Sequence, residues 1–363
     1  IVPMRLRSLL LLPLLALGLI GCKDDSAPAD QAAAPAQTFH WKMVTTWPKN
    51  APGTGTAAER LAERVNAMSA GRLTIKVYAA GELVPALEVF DAVSRGTAEL
   101  GHGTPYYWKG KVPAAQFFGA VPFGLSTLEM NAWLNKGGGQ ALWDEAYAPF
   151  GLKPLTAGNS TMQMGGWFNK EINSLADIKG LKIRMPGLGG EVWSRLGATT
   201  VVMPGGEIFT ALQTGAIDAT DWVSPYNDLA FGLQKAARYY YYPGWQEPQS
   251  VLELLINQKA FDALPADLQA IVTEAARAAT QDMMDDYVYH NAIALEELKK
   301  SGTQLKRFPD EVLSAMQRES DVVLGELAAQ SELNGRIWAS MKAFQNQVSQ
   351  MHQLSEKELY NWR

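Results

Sequence analysis

The sequence predicts two α/β domains crossed by one long helix and completed by a helical C-terminus. Three observations carry that prediction. From Phe39 onward, apolar residues fall in the order strand, helix, strand, which favours a parallel sheet with crossover helices. The 325 residues from Phe39 to Arg363 are more than one hydrophobic core usually organises. Beyond Pro265 the chain turns to Ala, Leu, Glu and Met in helical patterns.

Phe39 to Thr46 reads as a strand, followed by a Pro/Gly loop through Gly55 and a helix from Thr56 to Ser69 with Leu61, Val65 and Met68 on one face. Ala70-Gly71 stops that helix, and Leu73 to Tyr78 alternates as a second strand. A helix near 85–95, a short strand from Ala98 to His102 and an aromatic loop of Tyr106, Tyr107 and Trp108 come next. Further strands are expected at Leu152–Ala157, Met164–Asn169, Lys182–Met185, Thr200–Met203, Ala216–Asp221 and Val251–Asn257, with helices at Glu191–Leu196 and Gly206–Thr214. Gly137-Gly138-Gly139 reads as a loop or helix stop. Ala266 to Lys300 follows a proline suited to a first turn and ends before Gly302; at 1.5 Å per residue it runs about 50 Å, enough to brace two domains. Helices over Asp310–Gln330 and Asn334–Met351 complete the chain. The expected division is 39–160 completed by 251–330, then 161–250, then a tail from 331 to 363.

The amino terminus has its own logic. Arg5 and Arg7 precede an apolar run from Leu9 to Ile20, too short for a comfortable permanent span, so residues 1–22 read as an export signal starting at Met4. It ends in Leu19-Ile20-Gly21-Cys22, and Cys22 is the only cysteine of 363 residues, so no intrachain disulfide forms. That tetrad resembles a bacterial lipobox, in which the cysteine is lipidated. Residues 23–38 hold Ala, Pro, Asp and Gln without a large apolar side chain and read as a flexible tether. Losing Arg5 and Arg7 takes the net charge from −5 to −7, and no Lys/Arg cluster offsets it, which argues against nucleic acid as partner.

The chemistry-bearing residues point to binding rather than turnover. Arg184 ends a strand beside glycines that open a helix; a planar guanidinium next to free backbone N–H groups suits a carboxylate, although a lone arginine is more often a solvated surface residue. Asn159 and Gln163 place two amides after a strand, able to donate to a carboxylate or to present oxygen to a hard cation. Asp221-Trp222 and Trp245-Gln246-Glu247 pair acids with indoles in loops, a pattern that suits a cleft for a small ligand. His40, His102, His290 and His352 are scattered, and neither a nucleophile elbow nor a Walker loop is present, which argues against an enzyme.

Three blocks in order resemble the solute-binding subunits of TRAP (tripartite ATP-independent periplasmic) transporters, the DctP type. They are Gly81-Glu82-Leu83-Val84 through Gly96-Thr97-Ala98-Glu99-Leu100, then Leu175 to Arg184, then Leu196-Gly197, Pro204 and Glu207 to Asp218. The resemblance covers Phe39 to about Trp362 and implies a periplasmic-binding-protein-like fold with ligand in the interdomain cleft. It implies that Arg184 pairs with the ligand carboxylate. The stretch from Gly158-Asn159 to Trp167-Phe168 is similar to the subgroup that binds 2-oxoacids or lactate with a metal ion. There, the positions matching Gln163, Asp221, the Trp222 backbone and Glu247 surround the cation; in this chain the pocket volume is expected to depend on how Tyr106, Trp222 and Phe168 pack. Some relatives carry Glu where this chain has Asp221, and relatives differ between sodium and calcium; two protein carboxylates favour Ca²⁺ over Na⁺.

The implied function is capture of a small 2-oxo or 2-hydroxy monocarboxylate (pyruvate, another 2-oxoacid or lactate) in the periplasm, with the protein lipid-anchored through Cys22 and delivering to TRAP membrane subunits. The alternative is a carboxylate-sensing protein for a signalling receptor. Ile337, Met341, Phe344 and Val348 recur at spacings of three and four on the terminal helix, leaving one apolar stripe. In the resembled subgroup a comparable helix is exchanged between two subunits, so a homodimer is expected; packing on its own domain is the competing outcome.

Overall fold

A computed structural model describes residues 36–363. The export signal, Cys22 and most of the tether lie outside the described residues. The rest is built on two sheets.

The first sheet takes β1 (Phe39–Thr45), β2 (Leu73–Tyr78), β3 (Leu100–Gly103), β4 (Leu152–Asn159) and a late arrival, β10 (Val251–Asn257), in the order β2-β1-β3-β10-β4. β1 runs parallel to β2 and β3, and β10 is antiparallel to β3 and β4. The parallel pairs need crossovers, supplied by α1 (Thr54–Met68) and α2 (Val89–Ser94). Ala58, Leu61, Ala62 and Val65 of α1 lie at helical spacing and are buried, which is why this amphipathic segment docks on the sheet. Between β3 and β4 the chain forms α3 (Ala115–Gly119), α4 (Thr127–Lys136) and α5 (Gly139–Tyr147). Gly137 ends α4 and Gly138, at φ 89°, opens α5, so the glycine run is a stop between two helices.

The second sheet has the order β11-β9-β5-β8-β6-β7, from β5 (Gly166–Phe168), β6 (Lys182–Arg184), β7 (Thr199–Val201), β8 (Ala219–Thr220), β9 (Tyr239–Tyr242) and β11 (Gln304–Arg307). α6 (Gly187–Arg195) and α7 (Gly205–Thr214) are its crossovers, and α8 (Pro225–Ala230) follows β8. Two strands escaped the sequence reading. β9 is four tyrosines in a row and β11 is Gln-Leu-Lys-Arg, neither of which alternates in polarity. β11 pairs with β9, and the later helix α11 (Asp310–Ala329) packs on α6. The segment 304–329 thus sits with the second sheet, whereas the sequence division had grouped it with the first.

The α/β fold with a bracing helix is borne out. After the short α9 (Gln258–Asp262), α10 spans Ala266–Lys300, with the bounds expected from sequence. Leu268, Val272, Ala275 and Ala279 pack with Leu61, Val65 and Leu254 of the first sheet's layer. Met283, Tyr287 and Leu298 pack with Trp167, Ile217 and Tyr240 of the second. One helix therefore contributes to both cores. It remains shorter in hydropathy than in length: among the described residues no helix is long and apolar enough to cross a membrane.

The tail forms α12 (Glu332–Leu354) and α13 (Glu356–Tyr360). Ile337 and Met341 are buried on the chain's own α4–α5 region, where Trp338 stacks on Phe117 and Trp133 Nε1 donates to Ser340 Oγ at 3.1 Å. From Met351 onward the apolar side chains Leu354, Leu359, Tyr360 and Trp362 are exposed.

One buried acid gives the fold a pH signature. Glu253 on β10 has no exposure and accepts from Trp108 Nε1 and from Tyr147 Oη, the latter at 2.8 Å. Burial pushes its carboxyl up to about 8. An unfolded glutamate titrates near about 4.3, so across that window the folded chain holds a proton the unfolded chain has released. Stability must then fall as pH rises through the window, by about 1.4 kcal/mol per pH unit for one such group. Glu253→Gln should flatten the decline of the melting midpoint between about pH 5 and pH 8; a slope equal to that of the natural chain would contradict this.

Candidate ligand and cation site

The site is assembled where strands end. β6 runs parallel to β8 with Arg184 opposite Thr220, so the strand termini deliver Arg184 and the loop Asp221-Trp222-Val223 to one place. The Asp221 N–H donates to the Arg184 carbonyl at 3.1 Å, fixing the two backbones together. Behind the loop, buried Asp228 accepts from the Val223 N–H at 3.0 Å, Trp167 Nε1 at 3.1 Å and Tyr240 Oη at 2.5 Å. Burial pushes the Asp228 carboxyl up to about 7 in spite of those three donors.

A third segment closes over the first two. The Gln163 N–H donates to the Glu247 carbonyl at 3.1 Å, which joins the turn after β4 to the loop after β9. A Cβ on Gly244 would fall 1.9 Å from the Gln163 carbonyl, so only glycine allows this approach. Similarly, a Cβ on Gly205 would fall 2.4 Å from the Trp222 ring, which lies over the start of α7. The first lobe contributes Tyr106 and Tyr107, from the aromatic stretch after β3.

Arg184, Asp221, Glu247 and Gln163 are 1%, 1%, 3% and 4% exposed. Every guanidinium proton of Arg184 has a protein partner. Nη1 donates to Asp221 Oδ1 at 2.7 Å and to the Asp221 carbonyl at 3.1 Å; Nε and Nη2 reach the Met203 carbonyl at 3.2 Å; Nη2 donates to Tyr107 Oη at 3.3 Å. The guanidinium also faces the Trp222 ring at 5.4 Å. Burial pushes Asp221 up to about 6, opposed by Arg184. Burial, then repulsion from Asp221, pushes Glu247 well above the ordinary carboxylate range, although the Tyr106 and Ser250 hydroxyls oppose this.

The donor chemistry fits a hard cation. Asp221 Oδ2, Glu247 Oε2 and Gln163 Oε1 are buried and have no hydrogen-bond partner. Leaving three such oxygens unpaired is costly unless something else satisfies them. Among the described residues no group of three or more His, Cys, Asp or Glu could hold a metal ion. Any cation here therefore depends on two carboxylates supplemented by the Gln163 amide and backbone carbonyls, an all-oxygen set suited to Na⁺ or Ca²⁺ rather than zinc.

A cavity of about 20 Å³ adjoins this cluster, its walls including Trp47, Tyr106, Tyr107, Gln163, Trp222 and Leu252. Two residues named from sequence are placed elsewhere. Phe168 is fully buried among Tyr241, Trp193 and Phe308, with ring centroids 4.9, 5.8 and 6.0 Å away; it is core rather than pocket wall. Its neighbour Trp167 takes the opposite face of β5, as strand alternation requires. Asn159 spends its amide on Gln249 Oε1 at 2.7 Å and its oxygen on the Thr161 N–H at 2.9 Å, so it shapes the turn carrying Ser160 and Gln163. The sequence reading also missed Tyr107, Trp47 and Leu252. Tyr107 could have been found from its place in the aromatic run that follows β3, whereas Trp47 and Leu252 look like ordinary core positions.

Comparison with known proteins points to one family. Residues 43–331 match the family model for bacterial extracellular solute-binding protein, family 7 (DctP). A protein from Nostoc sp. named a monocarboxylate 2-oxoacid-binding periplasmic protein is 44% identical over 344 residues, covering 95% of this chain and 94% of that one. The crystal structure of a TRAP periplasmic solute-binding protein from Pseudoalteromonas atlantica, with bound sodium and pyruvate, superimposes with TM-score 0.88 at 40% identity, over 90% of this chain and 100% of that one. A TRAP solute-binding protein from Bordetella bronchiseptica, a mixed-occupancy dimer with copurified calcium and picolinate, gives TM-score 0.88 at 36% identity, over 90% and 97% of the two chains.

The ion pair sets a stability test. Arg184→Ala leaves the Asp221 carboxylate buried without its partner, at an expected cost of about 3–5 kcal/mol in denaturant unfolding at neutral pH. Arg184→Lys keeps the charge but not the fork and should fall between. A cost for Arg184→Ala below about 1 kcal/mol, the level of an exposed pair, would mean that the buried pair does not organise the site.

Proposed function

The chain belongs to bacterial extracellular solute-binding protein family 7, the DctP solute-binding proteins of TRAP transporters, and we propose that it captures a small 2-oxo or 2-hydroxy monocarboxylate together with Ca²⁺ or Na⁺. The observation that carries this reading is the set of buried, unpartnered oxygens on Gln163, Asp221 and Glu247 beside the Arg184 guanidinium. Gln163 Oε1, Asp221 Oδ2, Glu247 Oε2 and the Trp222 carbonyl would hold the cation. Bound there, the cation supplies positive charge that a ligand carboxylate and its neighbouring oxo or hydroxyl oxygen can coordinate.

Charge favours calcium over sodium. With both acids ionised, Arg184, Asp221 and Glu247 leave one net negative charge in a space closed to water. A divalent ion with a monocarboxylate brings that total to zero, whereas sodium with the same ligand leaves one negative charge. Buried charge is tolerated when it is neutralised and hydrogen-bonded, so the balanced set is the preferred one.

The chain's own residues do the rest. For Arg184 to meet a ligand carboxylate it must give up a protein partner, and Asp221 Oδ1 and Tyr107 Oη are the two that side-chain motion can release. Tyr107 belongs to the lobe built on the first sheet and Arg184 to the lobe built on the second, so their contact is made on closure of the lobes about a hinge. The closed form is what TRAP membrane subunits receive. No bond is made or broken, and the protein is a receptor rather than an enzyme. The Leu-Ile-Gly-Cys tetrad makes Cys22 the lipidation point, with residues 23–38 as the tether holding the periplasmic body near a membrane. The exposed apolar end of the tail supports a homodimer formed by exchange of the terminal helix.

Two experiments test these readings. Dialysis of the purified protein against a chelator in sodium-free buffer should weaken pyruvate binding in calorimetry and lower the melting midpoint; Ca²⁺ should restore both more fully than Na⁺. Unchanged affinity and midpoint after verified removal of both ions would rule the cation out. For the tail, light scattering on a soluble form lacking Cys22 should find a dimer at micromolar concentration, and deletion after Gln330 should give a monomer. A dimer that survives the deletion would refute the exchange.

A further inference from the structure

The lobes also touch beside the long helix, away from the cation-binding oxygens. Along α10 the packing passes from the first sheet's cluster, which ends at Ala279, to the second sheet's, which takes in Met283 and Tyr287. Tyr287 has no exposure, and a Cβ on Gly53 would fall 2.5 Å from its Oη and Cε2. The first lobe's turn therefore lies directly on the Tyr287 ring, at a residue whose φ of 78° and missing side chain permit it. Next to this contact, buried Asn227 of α8 donates from Nδ2 to the Pro52 carbonyl. None of Pro52, Gly53, Asn227 and Tyr287 lines the cavity beside the oxygens.

Both sides of the contact are anchored on α10, but at different points. In the first lobe the Gly53 N–H donates to Thr56 Oγ1 at 2.9 Å and the Thr56 N–H to the Ala51 carbonyl at 3.1 Å, which fixes the turn to the start of α1. Arg60 then ties α1 to α10, with Nε donating to Asp282 Oδ2 at 2.6 Å and Nη2 lying 3.6 Å from Asp286 Oδ2. In the second lobe the Tyr226 N–H donates to Asn291 Oδ1 at 2.9 Å, and the Tyr226 ring stacks on His290 with centroids 4.6 Å apart. α1 is thus held at residues 282 and 286 and α8 at residues 290 and 291, with Tyr287 between. A bend of the lobes about this stretch parts Asn227 from Pro52 and leaves each anchor intact.

We propose that Asn227, the Pro52-Gly53 turn and Tyr287 form a latch on lobe closure, and that Asn227 is a positioning residue that sets how long the ligand is held without touching it. This rests on the reading that a small carboxylate and a cation bind between the lobes. In the latch, one buried hydrogen bond and the packing of a glycine on an aromatic ring favour closure. Against them, Thr54 Oγ1 is buried in the same turn without a partner, a cost that opening relieves. The balance leaves closure weakly held by the protein alone, so a ligand that prefers the closed form decides the outcome. Escape of that ligand requires the latch to break, and the strength of the latch enters the dissociation rate.

Calorimetry and stopped-flow kinetics on the full chain, with pyruvate in saturating Ca²⁺, test the latch. Asn227→Ala should raise the pyruvate Kd about threefold to tenfold, the range of one net hydrogen bond, and the dissociation rate should carry the change. Its melting midpoint without pyruvate or cation should match that of the natural chain, because the latch is open there. Asn227→Asp keeps the shape but turns an acceptor toward the Pro52 carbonyl, and should raise the dissociation rate further. Gly53→Ala attacks the latch from the other lobe; its positive φ costs stability in either form, so only the dissociation rate is read, and it too should rise. Combined with Asn227→Ala it should add less than the product of the two effects, since both break one latch. Fully multiplicative effects, or a natural dissociation rate in Asn227→Ala whether or not its ligand-free midpoint falls, overturn the latch while the functional reading stands. Should Asn227→Ala fail to fold, a natural rate in Asn227→Asp or Gly53→Ala overturns it equally. If no 2-oxoacid binds the natural chain, the functional reading falls, and the latch falls with it for want of a ligand to retain.

Discussion

Everything in the second lobe is arranged around the burial of one guanidinium and two carboxylates within hydrogen-bonding reach of each other's segments. Taking such groups out of water costs several kcal/mol each, and the cost is recovered only if partners are placed with care. Arg184 is placed by the register of β6 against β8, which sets it beside Asp221 and the Met203 carbonyl. Glu247 is brought in by a loop that could not approach Gln163 if residue 244 carried a side chain. Asp228, with three donors of its own, holds the Val223 end of the loop so that Asp221 cannot drift toward solvent. What the fold leaves unmade is as informative as what it makes: one oxygen on each acid, and one on Gln163, with no partner.

The long helix explains how two lobes can share such a site without a disulfide. α10 belongs to both cores, its first half with the first sheet and its second half with the second, so the lobes have a common mechanical reference. Lobe contacts at the site include polar ones, such as Tyr107 with Arg184 and the Asn227 amide with the Pro52 carbonyl, beside the packed cluster that joins Trp47 and Leu252 to Trp222 and Val223.

Much of this was legible in the sequence because it depends on local pattern. Alternation revealed β2, and the helical composition between Pro265 and Gly302 gave α10 its bounds; Arg184, Asp221 and Glu247 were named because a strand-end guanidinium suits a carboxylate and acid–indole pairs suit a cleft, and the family resemblance implied that they meet. What failed depended on context. Four tyrosines in a row and Gln-Leu-Lys-Arg have no period, and they became strands because neighbouring β5 offered an edge and β9 then offered another. Phe168 was named as a pocket aromatic within the stretch similar to the 2-oxoacid subgroup, but strand alternation turned it into the core. Trp47 and Leu252 could not be found, since a cavity wall contributed by distant segments leaves no local mark, and Asn159 was identified without any sign that its amide would be spent on Gln249.

If the unmade oxygens hold a cation that in turn holds the carboxylate, the two ligands are thermodynamically coupled. Calorimetry can measure both halves of that coupling: the Kd of pyruvate with and without Ca²⁺, and the Kd of Ca²⁺ with and without pyruvate. Each ligand should tighten the other by at least about tenfold and by the same factor in both directions, as linkage demands. Independent binding, with a factor near one, would contradict it.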